Sequence, residues 1–195
     1  MSFTDLLQAV HNINEFQKVY LIDRAVHEAG FNFNQKTVAL LGLAFKKRTN
    51  DMRDSAALKV VESLLVRGVK AIRAYDPLAM EDAQRYWFNP EKNHLFERIS
   101  YHDSAKEAIE GSDVLYISTD WEEFRGLSRT IETTVKPPYL VIDGRRMIPD
   151  NNALVRGDYE YLPVGGALLR PQAGEAPGEN SHNIEKIPNG LKEIV

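Results

Sequence analysis

Three short polar stretches concentrate the side chains that could hold or transform a ligand. The first runs from Gly42 through Leu43, Ala44, Phe45, Lys46, Lys47 and Arg48 to Asp51, Arg53 and Ser55, with four cations in fourteen residues. The second is Thr119-Asp120-Trp121, and the third is Asp143-Gly144-Arg145-Arg146. Lysine makes a point contact with a phosphate or hydroxyl, and arginine can grip a phosphate through two parallel hydrogen bonds. Lys46 and Arg145 are therefore suited to a diphosphate, provided that the fold brings them to one crevice. Each cluster also has a plainer role open to it. Cations in a loop are commonly just solvated, Asp51 could pair with Arg53 or cap a following helix, Trp121 and Phe124 fit core or lid packing, and Asp143 fits a turn.

Other chemistries lack their residues. The sequence has no cysteine, which removes thiolate ligands, disulfides and cysteine nucleophiles from these 195 residues. Its five histidines (His11, His27, His94, His102 and His182) are scattered without metal-binding spacing, and no Ser-His-Asp pattern stands out. The formal net charge of −4 offers no general attraction to nucleic acid or an anionic membrane. No apolar run approaches the roughly 20 residues that span a bilayer, and no secretory leader pattern opens the chain, so the default location is the cytoplasm.

The elements that must position these clusters follow from periodicity. Residues 4–29 read as one long helix, with Leu6, Val10, Ile13, Tyr20 and Ile22 near helical spacing and Gly30 as a stop. From residue 35 strands and helices alternate. Strands are expected at 37–41, 70–75, 113–118, 139–142 and 159–162. Helices are expected at 55–67, at 104–111 behind a capping-box pattern, and at 151–155. That order predicts an α/β, Rossmann-like, doubly wound and mainly parallel sheet preceded by a long dimerisation helix. Ligands of such sheets sit beyond the carboxyl ends of the strands, where all three clusters fall. The turn after the first strand departs from a dinucleotide site. It has Gly42 but no G-x-G-x-x-G, and the acid ending the second strand, Asp76, comes too late. We divide the chain into a linker and dimerisation helix at 1–33, an α/β domain at 34–170, which the resemblance below makes the nucleotide-sugar (UDP)-binding domain, and a loosely ordered Pro/Gly-rich tail at 171–195.

These residues also carry a family resemblance. Gly42-Leu-Ala-Phe-Lys46 with Thr49-x-Asp51-x-Arg53-x-Ser55 resembles the signature of the C-terminal domain of the UDP-glucose/GDP-mannose dehydrogenase family. Ala74-Tyr-Asp-Pro-Leu-Ala-Met80, Ser112–Trp121 with Glu123-Phe124, and Val141-Ile-Asp-Gly-Arg145 are similar to further family stretches. Leu6–Val10 and Asn14-x-x-Gln17 resemble the central helix that links the family's two halves and forms its dimer. The match covers about residues 4–165 in family order and lies nearer the UDP-glucose 6-dehydrogenase form. The resemblance implies a two-step, NAD-dependent oxidation of a sugar C6 alcohol through a cysteine thioester. It assigns substrate contacts to Phe45, Lys46 and Arg145, with Arg146 a neighbouring alternative, and a cofactor contact to Arg53. No catalytic or metal-binding residue is expected here. NAD would be bound mainly by a domain that these residues do not contain, and this chain alone would be inactive. The expected partners are a UDP-sugar and a second copy through the N-terminal helix. A stand-alone, non-catalytic UDP-sugar-binding module is the alternative, and an unrelated Rossmann-like oxidoreductase is disfavoured by the missing glycines.

Overall fold

In the computed structural model, residues 3–171 are described. The tail predicted at 171–195 lies almost wholly outside them. Helix α1 (Phe3–His27) leads into strand β1 (Thr37–Leu41), helix α2 (Ala56–Val66) and strand β2 (Ala71–Tyr75). A short helix α3 (Met80–Asp82) continues into a π turn at Ala83–Trp87, and a 3-10 turn at His94–Arg98 precedes strand β3 (Ile99–Tyr101). Helix α4 (Ala105–Ile109), strand β4 (Val114–Ile117), a 3-10 turn at Glu122–Gly126 and helix α5 (Leu127–Thr134) follow. Strand β5 (Leu140–Asp143), helix α6 (Asn151–Arg156) and strand β6 (Glu160–Pro163) complete the order.

The six strands form one sheet in the order β3-β2-β1-β4-β5-β6, and every adjacent pair is parallel. This is the doubly wound arrangement expected from the alternation of elements. The sequence explains why β1 and β4 are central. Thr37-Val-Ala-Leu-Leu41 and Val114-Leu-Tyr-Ile117 have almost no exposed position, as strands covered on both faces require. Alternate residues enter different layers. Val38 and Leu40 join Ile72, Val114 and Ile142 under α1 and α2, whereas Ala39 and Leu41 join Leu115, Ile117 and Val141 under α4, α5 and α6.

Helix α2 buries Ala57, Val60, Val61, Leu64 and Leu65, a stripe at helical spacing. Its N-cap is Ser55, whose Oγ accepts from the Ala57 amide at 3.2 Å, so Asp51 does not cap it. Helix α1 divides in two. Leu21, Ile22 and Ala25 are buried in the same core as α2, while Leu6, Leu7, Val10, Ile13 and Phe16 are each about half exposed. Arg24 anchors the helix by donating to the Pro163 and Gly166 carbonyls at 3.0 and 2.8 Å. The outer edge of β6 is partly covered by an antiparallel bridge between Tyr161 and Leu169. Strand β3 and helix α5 have no counterpart in the periodicity reading.

Candidate nucleotide-sugar site

The β1 loop is built around Asp76, which ends β2 and is 1% exposed. Its Oδ2 accepts from the Leu43 amide at 2.7 Å, the Ala44 amide at 3.0 Å and the Trp121 indole N–H at 3.0 Å. Its Oδ1 accepts from the Leu78 and Ala79 amides, both at 2.9 Å. Two hydroxyls complete the frame: Ser55 donates to the Leu43 carbonyl and Thr119 to the Ala44 carbonyl, each at 2.7 Å. Gly42 sits at φ +90°, and a Cβ there would lie 2.5 Å from Thr119 Cβ. Glycine is required because the β1 and β4 loops touch at this point.

This frame presents Phe45 and Lys46. The Phe45 amide donates to the Asp51 carbonyl at 2.8 Å, while its ring is 48% exposed. Lys46 is exposed and makes no hydrogen bond or ion pair among the described residues. Its neighbours differ. Lys47 is paired with Glu122 at 2.7 Å and Asp120 at 3.6 Å. Arg53 is held by Asp51 through its Nε and a terminal nitrogen at 2.8 Å. That guanidinium is the main reason the Asp51 carboxyl is lowered to about 2.

A second buried carboxylate shapes the β5 loop. Asp143, 0% exposed, accepts from the Arg145 amide at 3.0 Å, the Ile148 amide at 3.0 Å and the Tyr161 hydroxyl at 2.8 Å. Arg145 donates its Nε to the Ser118 carbonyl at 2.8 Å, which aims the rest of the guanidinium into a cavity of about 230 Å³. The cavity lies between α1 and the carboxyl ends of β4 and β5, and Asn14, Gln17, Lys18, Tyr116 and Ser118 also line it. Ser118 Oγ is buried without a partner among the described residues. Burial raises the Tyr116 hydroxyl above its ordinary value against the opposing pull of Arg145, so it remains a protonated donor. Arg146 is committed elsewhere, to the Val164 and Gly165 carbonyls at 2.9 Å each.

The predicted residues thus occupy three places. Arg145 lines the α1 cavity, Phe45 and Lys46 stand on the β1 loop outside its lining, and Arg53 lines a separate hollow with Asp82, Tyr86, Trp87 and Lys92. All follow carboxyl ends of strands. Trp121 and Phe124 are core residues at 8% and 0% exposure. Thr119 belongs to the second polar stretch of the sequence, whereas Asp76 and Ser118 are site residues that the sequence does not single out. Asp76 was visible as the acid closing β2, but its backbone partners have no sequence signature.

The sequence pattern of the UDP-glucose/GDP-mannose dehydrogenase family's UDP binding domain matches residues 39–150. The chain belongs to this family. Among curated relatives, the UDP-glucose 6-dehydrogenase YwqF of Bacillus subtilis is 33% identical over 167 residues, which is 86% of this chain and 36% of that protein. The UDP-glucose 6-dehydrogenase of Pseudomonas aeruginosa is 35% identical over 88% of this chain and 36% of its own length. A solved UDP-glucose dehydrogenase from Pyrobaculum islandicum aligns with a TM-score of 0.63 at 25% identity, covering 82% of this chain and 32% of that one. The chain therefore spans about a third of the length of the family members it matches.

Proposed function

We propose that these residues supply the nucleotide-sugar-binding part of an NAD-dependent UDP-sugar dehydrogenase of the UDP-glucose type, acting in the cytoplasm. The observation that carries the reading is the match to the family's UDP binding domain, whose span contains Phe45, Lys46, Arg53 and Arg145. The free ammonium of Lys46 and the anchored guanidinium of Arg145, which line no common cavity, are the two cations we assign to the ligand's phosphates. The ring of Phe45 offers it an apolar contact. Arg146 is the poorer candidate because its Nε and one terminal nitrogen already donate to carbonyls that turn it toward the loop after β6, whereas Arg145 is held through its Nε alone.

The roles of these residues are positioning and charge neutralisation, which lower the barrier only through binding energy realised at the reacting sugar. NAD, when bound, supplies the hydride acceptor. The β1 turn here does not fit its pyrophosphate, because the Leu43 and Ala44 amides that would face it are spent on Asp76. Arg53 is the one residue we assign to NAD, through the terminal N–H groups that its pair with Asp51 leaves free. On this reading these 195 residues alone do not reduce NAD with UDP-glucose. The half-exposed stripe of Leu6, Val10, Ile13 and Phe16 is the surface we assign to a second copy, paired symmetrically.

Calorimetric titration with UDP, UDP-glucose, GDP-mannose and NAD tests the proposal. UDP and UDP-glucose should bind. Lys46→Ala and Arg145→Ala should each weaken UDP about ten- to a hundred-fold, the range for hydrogen bonds to charged groups. Arg53→Ala should leave UDP affinity unchanged. Equal losses for all three would mean a diffuse basic patch, and no loss for Lys46 or Arg145 would mean the nucleotide lies elsewhere. A strictly monomeric mass by light scattering would remove the dimer.

A further inference from the structure

In a dinucleotide-binding turn, the backbone amides after the first strand face a phosphate. The same amides in this chain, Leu43 and Ala44, face a carboxylate from the neighbouring strand. We propose that Asp76 is an internal anion standing where such a phosphate would stand, and that it is the positioning residue for Lys46 and Phe45.

Five donors converge on this one side chain, from three separate segments: the β1 loop, the turn after β2, and Trp121 of the β4 loop. Burying a carboxylate is costly unless its charge is met by hydrogen-bond donors, and here five meet it. The arrangement has two consequences for the site. It fixes the backbone two residues before Lys46, so the ammonium starts from a held position rather than a free loop. It also uses up the amide-lined pocket, so the ligand's phosphates must be gripped by side chains. Asp143 does the same for Arg145 from β5, through a separate set of partners.

The inference rests on the UDP reading, and its tests separate the two. Asp76→Asn keeps the shape but must turn an NH2 toward one of the two sets of N–H donors. Its oxygen can serve the turn after β2, which leaves the amide nitrogen opposite Leu43, Ala44 and Trp121. UDP affinity should fall at least about tenfold in this variant. The discriminating readout is a double-mutant cycle. In the Asp76→Asn background, Lys46→Ala should cost nothing further, while Arg145→Ala should keep its full effect. A general structural weakening would leave both losses intact, and that result overturns the proposal, as does wild-type UDP affinity in a folded Asp76→Asn. Hydrogen exchange on the unmodified chain needs neither variant nor ligand. The Leu43 and Ala44 amides should be as protected as those of β1. Exchange as fast as at the exposed Arg48 and Asn50 overturns the proposal even if UDP binds, whereas protection without UDP binding upholds the frame and removes only the ligand.

Discussion

Replacing Gly42 with alanine probes the closest approach in the site. The new Cβ would lie 2.5 Å from Thr119 Cβ and 2.6 Å from Thr119 N, with the backbone at φ +90°. Two costs add. A left-handed backbone costs an L-residue about 1–2 kcal/mol, and forcing a methyl into a packed contact costs about 1–3 kcal/mol more. Thr119 cannot swing away cheaply, because its Oγ1 is bonded to the Ala44 carbonyl and the preceding Ser118 amide to the Leu41 carbonyl at 2.8 Å. The sum, roughly 2–5 kcal/mol, corresponds to a fall in Tm of roughly 4–20 °C for a chain of this size. Gly111→Ala is the control. It has a similar positive φ of +70° but nothing within 4 Å of the added carbon, so it should show the backbone cost alone. Thermal unfolding followed by circular dichroism compares the two. If Gly42→Ala melts no lower than Gly111→Ala, the β1 and β4 loops do not touch as described, and the frame around Lys46 loses its basis.

Four further outcomes are expected. The Asp51 carboxyl, held down to about 2 by Arg53, should keep its charge far into acid. Its lowered value means the pair contributes fully above the ordinary carboxylate range and is lost as pH falls through about 2. An NMR titration placing Asp51 at its unperturbed 3.8 would show that the pair does not form in solution. Tyr161→Phe removes one of three donors to the buried Asp143 and should destabilise the fold by about 1.5–3 kcal/mol in chemical denaturation, with an unchanged midpoint counting against the bond. Ser118→Ala deletes a hydroxyl without a partner among the described residues and should shift ligand-free stability by less than about 0.5 kcal/mol. Ser55→Ala deletes both a helix cap and a bond to Leu43 and should cost about 1–3 kcal/mol, so equal effects would contradict these assignments.

The alternation of strands and helices was legible because β1, β4 and β5 are apolar runs with glycine or polar turns at their ends. Strand β3 escaped notice because Ile99-Ser-Tyr101 is three residues long and lies at an edge, too short for a period to register. Helix α5 escaped for a different reason. Leu127-Ser-Arg-Thr-Ile-Glu-Thr-Thr134 carries only two large apolar residues and several weak helix formers, so tertiary packing of Leu127 and Ile131 decides its state. In the site, residue type revealed the cations but not their availability. Lys46 and Lys47 are identical neighbours in sequence. Only the fold brings Glu122 and Asp120 to one of them and leaves the other open. The same holds for Arg145 and Arg146, which the path of β6 and its following loop tells apart.

The central place of β1 carries a consequence for the order of assembly. Val38 pairs with Ile72 on one side and with Val114 on the other, so the first strand of the sheet keeps one open edge while β2 and β3 are made and is enclosed only by β4. During synthesis, β1, α2 and β2 can form a βαβ unit early, but one edge of β1 stays open until β4 has emerged. That edge belongs to Thr37-Val-Ala-Leu-Leu41, a β-branched and aliphatic run without charge or proline, the composition that invites pairing with a neighbouring nascent chain. Parallel pairing across such separations is slow, because the intervening chain must be ordered before the new strand is gained. Until then Asp76 can already cap the β1 turn from the adjacent strand, since four of its five donors lie between Leu43 and Ala79. The unit that waits for β4 is thus one whose loop is already tied back to β2, and slowing translation after residue 79 should lengthen the interval in which it needs a chaperone.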